Sequence, residues 1–474
     1  MPDSALPPIS VGLQSQFDIL QAGFASDPFP PAQVRLDRLT RLETALLDHS
    51  DQLAEAMSAD FSYRSSVECR LLDLTTSIGE IRTAKRNVKR WMKPRRVSMP
   101  LHMRPARGRI FPQPLGVIGV ISPWNFPVLL AVTPVAAALA AGNRVMLKPS
   151  ELSPKTSDLL ARMIAESFAP DEIAVATGGP DVAQAFSDLP FDHLLFTGST
   201  EVGRKVATAA ARNLTPVTLE LGGKSPAILT ESADLDRAAA RIGWGKTLNA
   251  GQACVAPDYI LLPRDQMAPF ADKLMQVWQH QYPDGADSRD YCGIISQRHL
   301  DRLQSMIREA QQTGAELRTL PDATSGAARR LTPTLVLDPP TDLALMRHEV
   351  FGPILPLVPY DTTEQALEFV TTRDRPLALY VFAENRRDCD PWLHLTHSGG
   401  LCVNEVAIQF SCDTLPFGGV GASGYGAYHG EKGFETFSHM KSVLEQSRLS
   451  GLGLLAPPFT ARTRRLVQLL NRFV

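Results

Sequence analysis

The six cysteines, at positions 69, 254, 292, 389, 402 and 412, include no C-x-x-C pair, and no histidine lies at zinc-ligand spacing from any of them. That removes the usual signatures of a zinc site and of a disulfide framework, so no metal is expected and the thiols read as a reduced, cytoplasmic set. Neither sign of charge is in excess. Lys and Arg number 48 against 50 Asp and Glu, a net charge of -2, so nothing global draws the chain to nucleic acid or to an anionic membrane. Long apolar runs are missing too: the longest, Val128 to Ala141, is interrupted by Thr133 and Pro134. It is too short to span a bilayer and reads as a buried helix. The start, Met-Pro-Asp-Ser-Ala-Leu-Pro-Pro, has no positive segment followed by an apolar one, so no secretory signal is expected. Internal repeats and low-complexity tracts are absent as well.

What is present is a chain of 474 residues, 44% apolar, long enough for two or more domains with sizeable cores. From about Ala32 to Val97 the pattern is helical, with Leu39, Leu42, Leu46, Leu47, Leu53 and Met57 recurring at three- and four-residue steps. The basic cluster from Arg82 to Arg96, in a molecule that is not basic as a whole, reads as a solvated helix end or an inter-subunit surface. Pro100 to Pro114, with its four prolines, reads as an arm leaving a compact domain.

The texture then changes. Leu115 to Ile121 and Arg144 to Lys148 are short apolar strands around the buried helix. The alternation continues through strands near Ile173 to Ala176, His193 to Phe196 and Val217 to Leu221. Such alternation implies a parallel, doubly wound sheet, in which ligands sit beyond the carboxyl ends of the strands. A second α/β unit follows from near Gly222 to about Val403, with a helix around Asp234 to Leu248 and a strand at Tyr259 to Leu262; Glu435 to Leu444 suggests one more strand. Thr460 to Val474 is a basic amphipathic tail, expected to pack on its own protein or a partner, with weak peripheral membrane contact as the alternative.

Chemistry gathers at a few positions. Cys254 lies among small residues in Asn249-Ala-Gly-Gln-Ala-Cys-Val-Ala-Pro257, where Gly251 and Ala253 are expected to leave room for reactants to reach the sulfur. A thiol attacks as its thiolate, so a nucleophile there needs a lowered pKa or a nearby base; a buried inert cysteine is the plainer reading. Glu220, before Gly222 and Gly223, is either a desolvated general base or a solvent-facing strand terminus. Asn125, between Trp124 and Phe126 and flanked by two prolines, suits an oxyanion contact or a turn cap. Gly198 to Gly203 sits at a strand-to-helix junction that suits a phosphate, although its glycine spacing differs from the G-x-G-x-x-G fingerprint and also fits an ordinary turn. Lys148 with Glu151 suits ribose hydroxyls or a surface ion pair.

Taken together and in order, seven motifs resemble the aldehyde dehydrogenase superfamily over about residues 30 to 445. They are Pro123-Trp-Asn-Phe-Pro127, Lys148-Pro-Ser-Glu151, Phe196-Thr-Gly-Ser-Thr200, Leu219-Glu-Leu-Gly-Gly-Lys224, Gly251-Gln-Ala-Cys254, Glu349-Val-Phe-Gly-Pro353 and Pro416-Phe-Gly-Gly419. The short chain, the sequence Cys-Val-Ala-Pro-Asp258 and the basic C-terminal extension resemble the class 3 branch, and within it bacterial coniferyl-aldehyde dehydrogenases.

The resemblance implies an α/β fold of two doubly wound parallel-sheet domains with a small oligomerisation arm. Residues 1–98 and 115–221 would bind NAD, 222–404 form the catalytic domain, 99–114 and 405–445 the arm, and 446–474 the tail. It assigns Cys254 as nucleophile, Glu220 as base and Asn125, with the Cys254 amide, as oxyanion holder. Lys148 and Glu151 would meet the adenosine ribose; Gly198, Ser199, Thr200, Glu201, Val202 and Gly203 the pyrophosphate; Glu349 and Phe351 the nicotinamide ribose side, with Trp124 among the cofactor residues. The implied reaction is oxidation of an aromatic or medium-chain aldehyde to the acid by a cytoplasmic homodimer, with NAD favoured over NADP because Glu151 would repel a 2′-phosphate. A CoA-acylating relative, a non-catalytic binding protein on the same scaffold and a Cys/His hydrolase are the alternatives.

Overall fold

The computed structural model describes residues 8–100, 103–321, 329–448, 453 and 456–471. Parts of the expected NAD-binding segment (1–7), arm (101–102), catalytic domain (322–328) and tail (449–452, 454–455 and 472–474) therefore lie outside the described residues. The chain forms three sheets. The first runs in the order Gly424–Tyr425, Val217–Leu221, His193–Gly198, Val117–Ile121, Arg144–Lys148, Ile173–Val175 and is parallel except at its first strand. Side chains alternate across it, as strand geometry requires. Ile118, Val120, Val145, Leu147 and Leu195 face the helices Leu129–Ala141 and Pro154–Ser167. Val117, Ile121, Met146, Leu194, Phe196 and Leu219 face Pro8–Ser26, Pro180–Ser187 and Thr200–Ala211. Both faces are covered, which is why these strands read as unbroken apolar runs.

The second sheet, Glu316–Thr319, Thr334–Leu337, Ile354–Tyr360, Tyr259–Pro263, Pro226–Leu229, Ala378–Phe382, Gly400–Val403, is parallel apart from its first strand. It is sandwiched in the same way, with Leu235–Thr247 and Met267–Gln281 on one face and Gln297–Gln312 and Thr363–Thr371 on the other. The third sheet is antiparallel and small: Arg95–Val97, Arg107–Pro114 and Ser438–Glu445. The expected α/β fold with two doubly wound sheets is what the chain adopts.

Some local expectations need correction. The helical pattern ends at Trp91, and Arg95–Val97 is a strand. Pro94 explains the change, because it donates no amide and disfavours helical geometry at Lys93. Of the six apolar positions read as one stripe, Leu39, Leu42, Leu46, Leu53 and Met57 are fully buried, whereas Leu47 is exposed. Glu435 and Thr436 close the helix Gly430–Thr436 instead of opening the last strand. The tail does form a helix, Ala461–Leu470, capped by Thr460, but Val467 and Leu469 on it are exposed. Among the described residues no helix is long and apolar enough to cross a membrane.

Candidate active site

The helix Leu129–Ala141 ends where Gly142 turns left-handed at φ 97°, the conformation that releases a chain from a helix at least cost. The strand that follows carries Lys148 to the carboxyl edge of the first sheet, where Ile121, Gly198 and Leu221 also end. Beyond this edge lies a cavity of about 250 Å³ whose wall includes Trp124, Asn125, Gly198, Ser199, Glu220, Cys254, Glu349 and Phe351. Eight of the residues singled out from sequence, drawn from five separate stretches of chain, thus meet in one place.

Cys254 is a half-buried free thiol, and it borders a second, apolar cavity of about 110 Å³ walled by residues including Leu72, Phe126, Leu129, Trp244, Val255 and Phe410. The sulfur therefore stands between two spaces, one lined by polar as well as apolar groups and one almost wholly apolar. Burial, and after it the charges of Glu349 and Glu220, push the thiol up to about 12, so it rests protonated at neutral pH. Glu220 is buried, not solvent-facing, and neither carboxyl oxygen has a hydrogen-bond partner. Desolvation holds it well above the usual carboxylate range. Asn125 donates from Nδ2 to the Gln252 carbonyl at 3.1 Å, which fixes its amide over the cysteine loop and leaves the second amide hydrogen free of that bond.

Glu349 is pushed up to about 8, first by burial and then by the charge of Asp258. Its loop is pinned from two sides. The Val350 amide donates to Asp258 Oδ1 at 2.7 Å, and Arg302 donates to the Glu349 and Val350 carbonyls at 3.2 and 2.5 Å. The Phe351 ring meets Trp124 edge-on at 5.4 Å between centroids. A Cβ on Gly222 would stand 2.1 Å from Glu349 Oε2, so a side chain there would displace that carboxyl.

The buried Glu349 carboxyl has a consequence for stability. The folded chain keeps this proton up to about pH 8, while an unfolded glutamate releases it near pH 4.3. The group favours the fold below the lower value, and that contribution is lost as pH rises through about 8. Glu349→Gln has no proton to lose, so the variant should melt progressively higher than the parent as pH rises from about 5 to about 9. Thermal melts at several pH values read this directly, and an offset in Tm that stays constant with pH would contradict it.

Other residues singled out from sequence lie apart from the cavity. Lys148 is buried and bonds Glu151 at 2.7 Å on a neighbouring strand end. Ser199, itself in the cavity wall, caps the helix Thr200–Ala211, accepting from the Val202 amide at 3.4 Å. Thr200 donates to the Ala422 carbonyl, Glu201 pairs with Lys205 at the surface, and Val202 is exposed. Gly203 presses the helix onto the sheet: a Cβ there would meet Leu221 at 2.6 Å.

The expectation for Gly251 and Ala253 is overturned. Neither lines the cavity. Gly251 is buried at φ 72°, and a Cβ on it would lie 2.4 Å from the Gly352 carbonyl oxygen, so its smallness admits neighbouring backbone instead of reactants.

Sequence reasoning passed over Pro123, Leu130, Thr197, Leu221, Gly222, His299 and Arg302, all in the cavity wall. Four of them, Pro123, Thr197, Leu221 and Gly222, adjoin named positions in the sequence. His299 and Arg302 sit on the helix Gln297–Gln312, far along the chain, with no local signal. His299 contacts Trp124 at 5.1 Å, and burial, followed by Arg302, pushes its imidazole down to about 4, so it is neutral. Among the described residues no cluster suited to a metal is found, and all six cysteines are free.

Comparison with known proteins gives the following. Residues 24–443 match the model of the aldehyde dehydrogenase family. A probable coniferyl aldehyde dehydrogenase of Pseudomonas aeruginosa is 46% identical over 96% of this chain and 95% of its own. The aldehyde dehydrogenase family 3 member A2 of Macaca fascicularis is 37% identical over 92% and 88%, and the dimeric NADP-preferring aldehyde dehydrogenase of Canis lupus familiaris 38% over 94% and 97%. Among solved structures, the substrate-bound Staphylococcus aureus AldH superposes with a TM-score of 0.91 at 34% identity, covering 97% of this chain and 99% of that one. A Mycobacterium tuberculosis aldehyde dehydrogenase complexed with NAD+ superposes at 0.82 with 27% identity, covering 93% and 91%.

Proposed function

The chain belongs to the aldehyde dehydrogenase family, and from that premise we propose that it oxidises an aromatic aldehyde such as coniferaldehyde, or a medium-chain aliphatic one, through a covalent intermediate on Cys254. The observation that carries the reading is the meeting of Cys254, Glu220 and Asn125 at one cavity, with an apolar space opening on the same thiol. An apolar aldehyde entering by the second space would present its carbonyl carbon to the sulfur.

The residues around the larger cavity fit NAD(P). Thr197 offers a buried hydroxyl with no hydrogen-bond partner, Trp124 and Phe351 offer ring faces, and Gly198 and Gly222 keep the wall thin. The start of the helix Thr200–Ala211 suits the pyrophosphate, because first-turn amides and the helix dipole favour an anion. Lys148 and Glu151 are the proposed ribose ligands, and Glu349 and Phe351 the contacts on the nicotinamide side. When bound, this cofactor supplies the two-electron acceptor of the oxidation.

In the proposed sequence the Cys254 thiol passes its proton to water, and the sulfur bonds the aldehyde carbon as the carbonyl π pair moves onto oxygen. Asn125 Nδ2 and the Cys254 amide hold the resulting oxyanion, a contact worth about 3 kcal/mol of barrier per donor. Oxidation leaves a thioester on the sulfur. Glu220, once ionised, takes a proton from a water that attacks the thioester carbon, and the acid departs as the thiol is restored.

The division into an NAD-binding part (1–98 and 115–221), a catalytic part (222–404), an arm (99–114 and 405–445) and a tail (446–474) belongs to this proposal. So does a homodimer joined through the small sheet, supported by the exposure of Arg95–Val97 and of much of Ser438–Glu445 and by the dimeric relative. A cytoplasmic location accords with the free thiols.

The test is NAD and NADP crossed with coniferaldehyde, benzaldehyde, hexanal and a semialdehyde, with and without CoA, read as NAD(P)H formation and product identity. No reduction with any aldehyde would overturn the proposal, and acyl-CoA as the product would replace water by CoA as the acceptor. Within that panel Glu151→Gln should raise kcat/KM for NADP relative to NAD by about fivefold, since removing one charge near a 2′-phosphate is worth about 1 kcal/mol. An unchanged ratio would take Glu151 away from the ribose.

A further inference from the structure

Cys254 and Asn125 stand on two different loops, and their relative position has to be kept to within a fraction of an ångström for the chemistry above. Both loops are tied to one buried charged cluster on a third segment. Arg64 has no exposed side-chain surface; its Nη1 bonds Asp73 Oδ2 at 2.9 Å and its Nε lies 3.9 Å from Glu68 Oε1. Each carboxylate then reaches a different loop. Asp73 Oδ1 accepts the Val128 and Leu129 amides at 3.2 Å each, directly after the turn that carries Asn125. Glu68 Oε1 accepts the Asn249 amide at 2.5 Å.

Asn249 is held in the left-handed region at φ 49°, and its side-chain amide donates to the Asn125 carbonyl at 2.9 Å and to the Gln252 carbonyl at 3.2 Å. Asn125 donates to that same Gln252 carbonyl. Asp73 lies in the π-helical turn Cys69–Thr75, a rare form of helix that recurs at functional sites.

We infer that Glu68 is a positioning residue: through its bond to the Asn249 amide, and through the shared Arg64–Asp73 pair, it sets the register of the nucleophile loop against the oxyanion loop. A buried ion cluster contributes little net stability, so holding geometry is a sufficient reason for this one. The inference rests on the assignment of Cys254 and Asn125 made above.

The test pairs two conservative variants. Glu68→Gln keeps the reach to the Asn249 amide without the charge, and Glu68→Asp keeps the charge but falls one methylene short. The rate of the first-turnover NADH burst is measured with the KM for NAD and the melting temperature. Glu68→Gln should burst within about threefold of the parent and Glu68→Asp at least about tenfold more slowly, since a misplacement near 1 Å costs on the order of 10²-fold. The KM for NAD should stay within about twofold in both, as neither touches the cofactor cavity. A parental burst rate in Glu68→Asp, the reverse ranking of the two, or rate losses that follow Tm in both would overturn the inference. No NADH from the parent in its first turnover would instead remove the premise about Cys254.

Discussion

Cys254→Ala is expected to form no NADH above an enzyme-free control, a loss of at least about 10⁴-fold, because removing the nucleophile of a covalent mechanism eliminates the route and does not merely slow it. Cofactor binding should survive. The remaining wall of the larger cavity, including Trp124, Glu349 and Phe351, does not depend on the sulfur, and NAD titration followed by tryptophan fluorescence would show it. The fold should survive as well, since the thiol is only half-buried and its removal costs on the order of 1 kcal/mol. Steady NADH formation by the variant would remove Cys254 from the mechanism, and loss of turnover together with cofactor binding would point to a collapsed cavity. The same site explains why the thiol is quiet at rest. Burial, and after it the charges of Glu349 and Glu220, hold its proton, so its reactivity has to be raised by what enters the cavity.

Glu220→Gln should separate the two halves of the reaction. Acylation does not need the carboxylate as base for water, so the variant should release about one NADH per site in a burst, followed by turnover about 10²- to 10³-fold slower than the parent. The pH dependence carries the sign of the shift. Desolvation keeps Glu220 protonated well above the ordinary carboxylate range, and a base works only when ionised. The parent's kcat should therefore climb with pH across neutrality, and the residual turnover of Glu220→Gln should lack that limb. Unchanged steady-state turnover in the variant, or a parent profile flat between about pH 6 and 9, would remove Glu220 from the role.

Much of the framework was open to sequence reading. Strands at Val117–Ile121 and Val217–Leu221 declare themselves because a strand covered on both faces must be apolar throughout, and the helix Leu129–Ala141 because it is buried on every side. The helix that stops at Trp91 was misjudged by a few residues, for periodicity persists past a proline that geometry does not tolerate. Cys254, Glu220 and Asn125 each kept a plainer reading alone and stood out only through the ordered motifs that resemble the family; the structure brings all three to one cavity.

By itself, then, the sequence determined the α/β class and the family and singled out the groups proposed to react, all of which rest on residue type and short-range order. Tertiary structure alone decided the remainder. His299 and Arg302 join the cavity through packing between elements far apart in the chain, and Arg64, Glu68 and Asp73 bind two loops that no spacing rule connects. Gly251 proved to be small for the sake of the Gly352 carbonyl, a neighbour about a hundred residues away. The raised proton affinities of Cys254, Glu220 and Glu349 belong with these, because desolvation and nearby charge come from the whole folded surroundings, and the residue's letter carries neither.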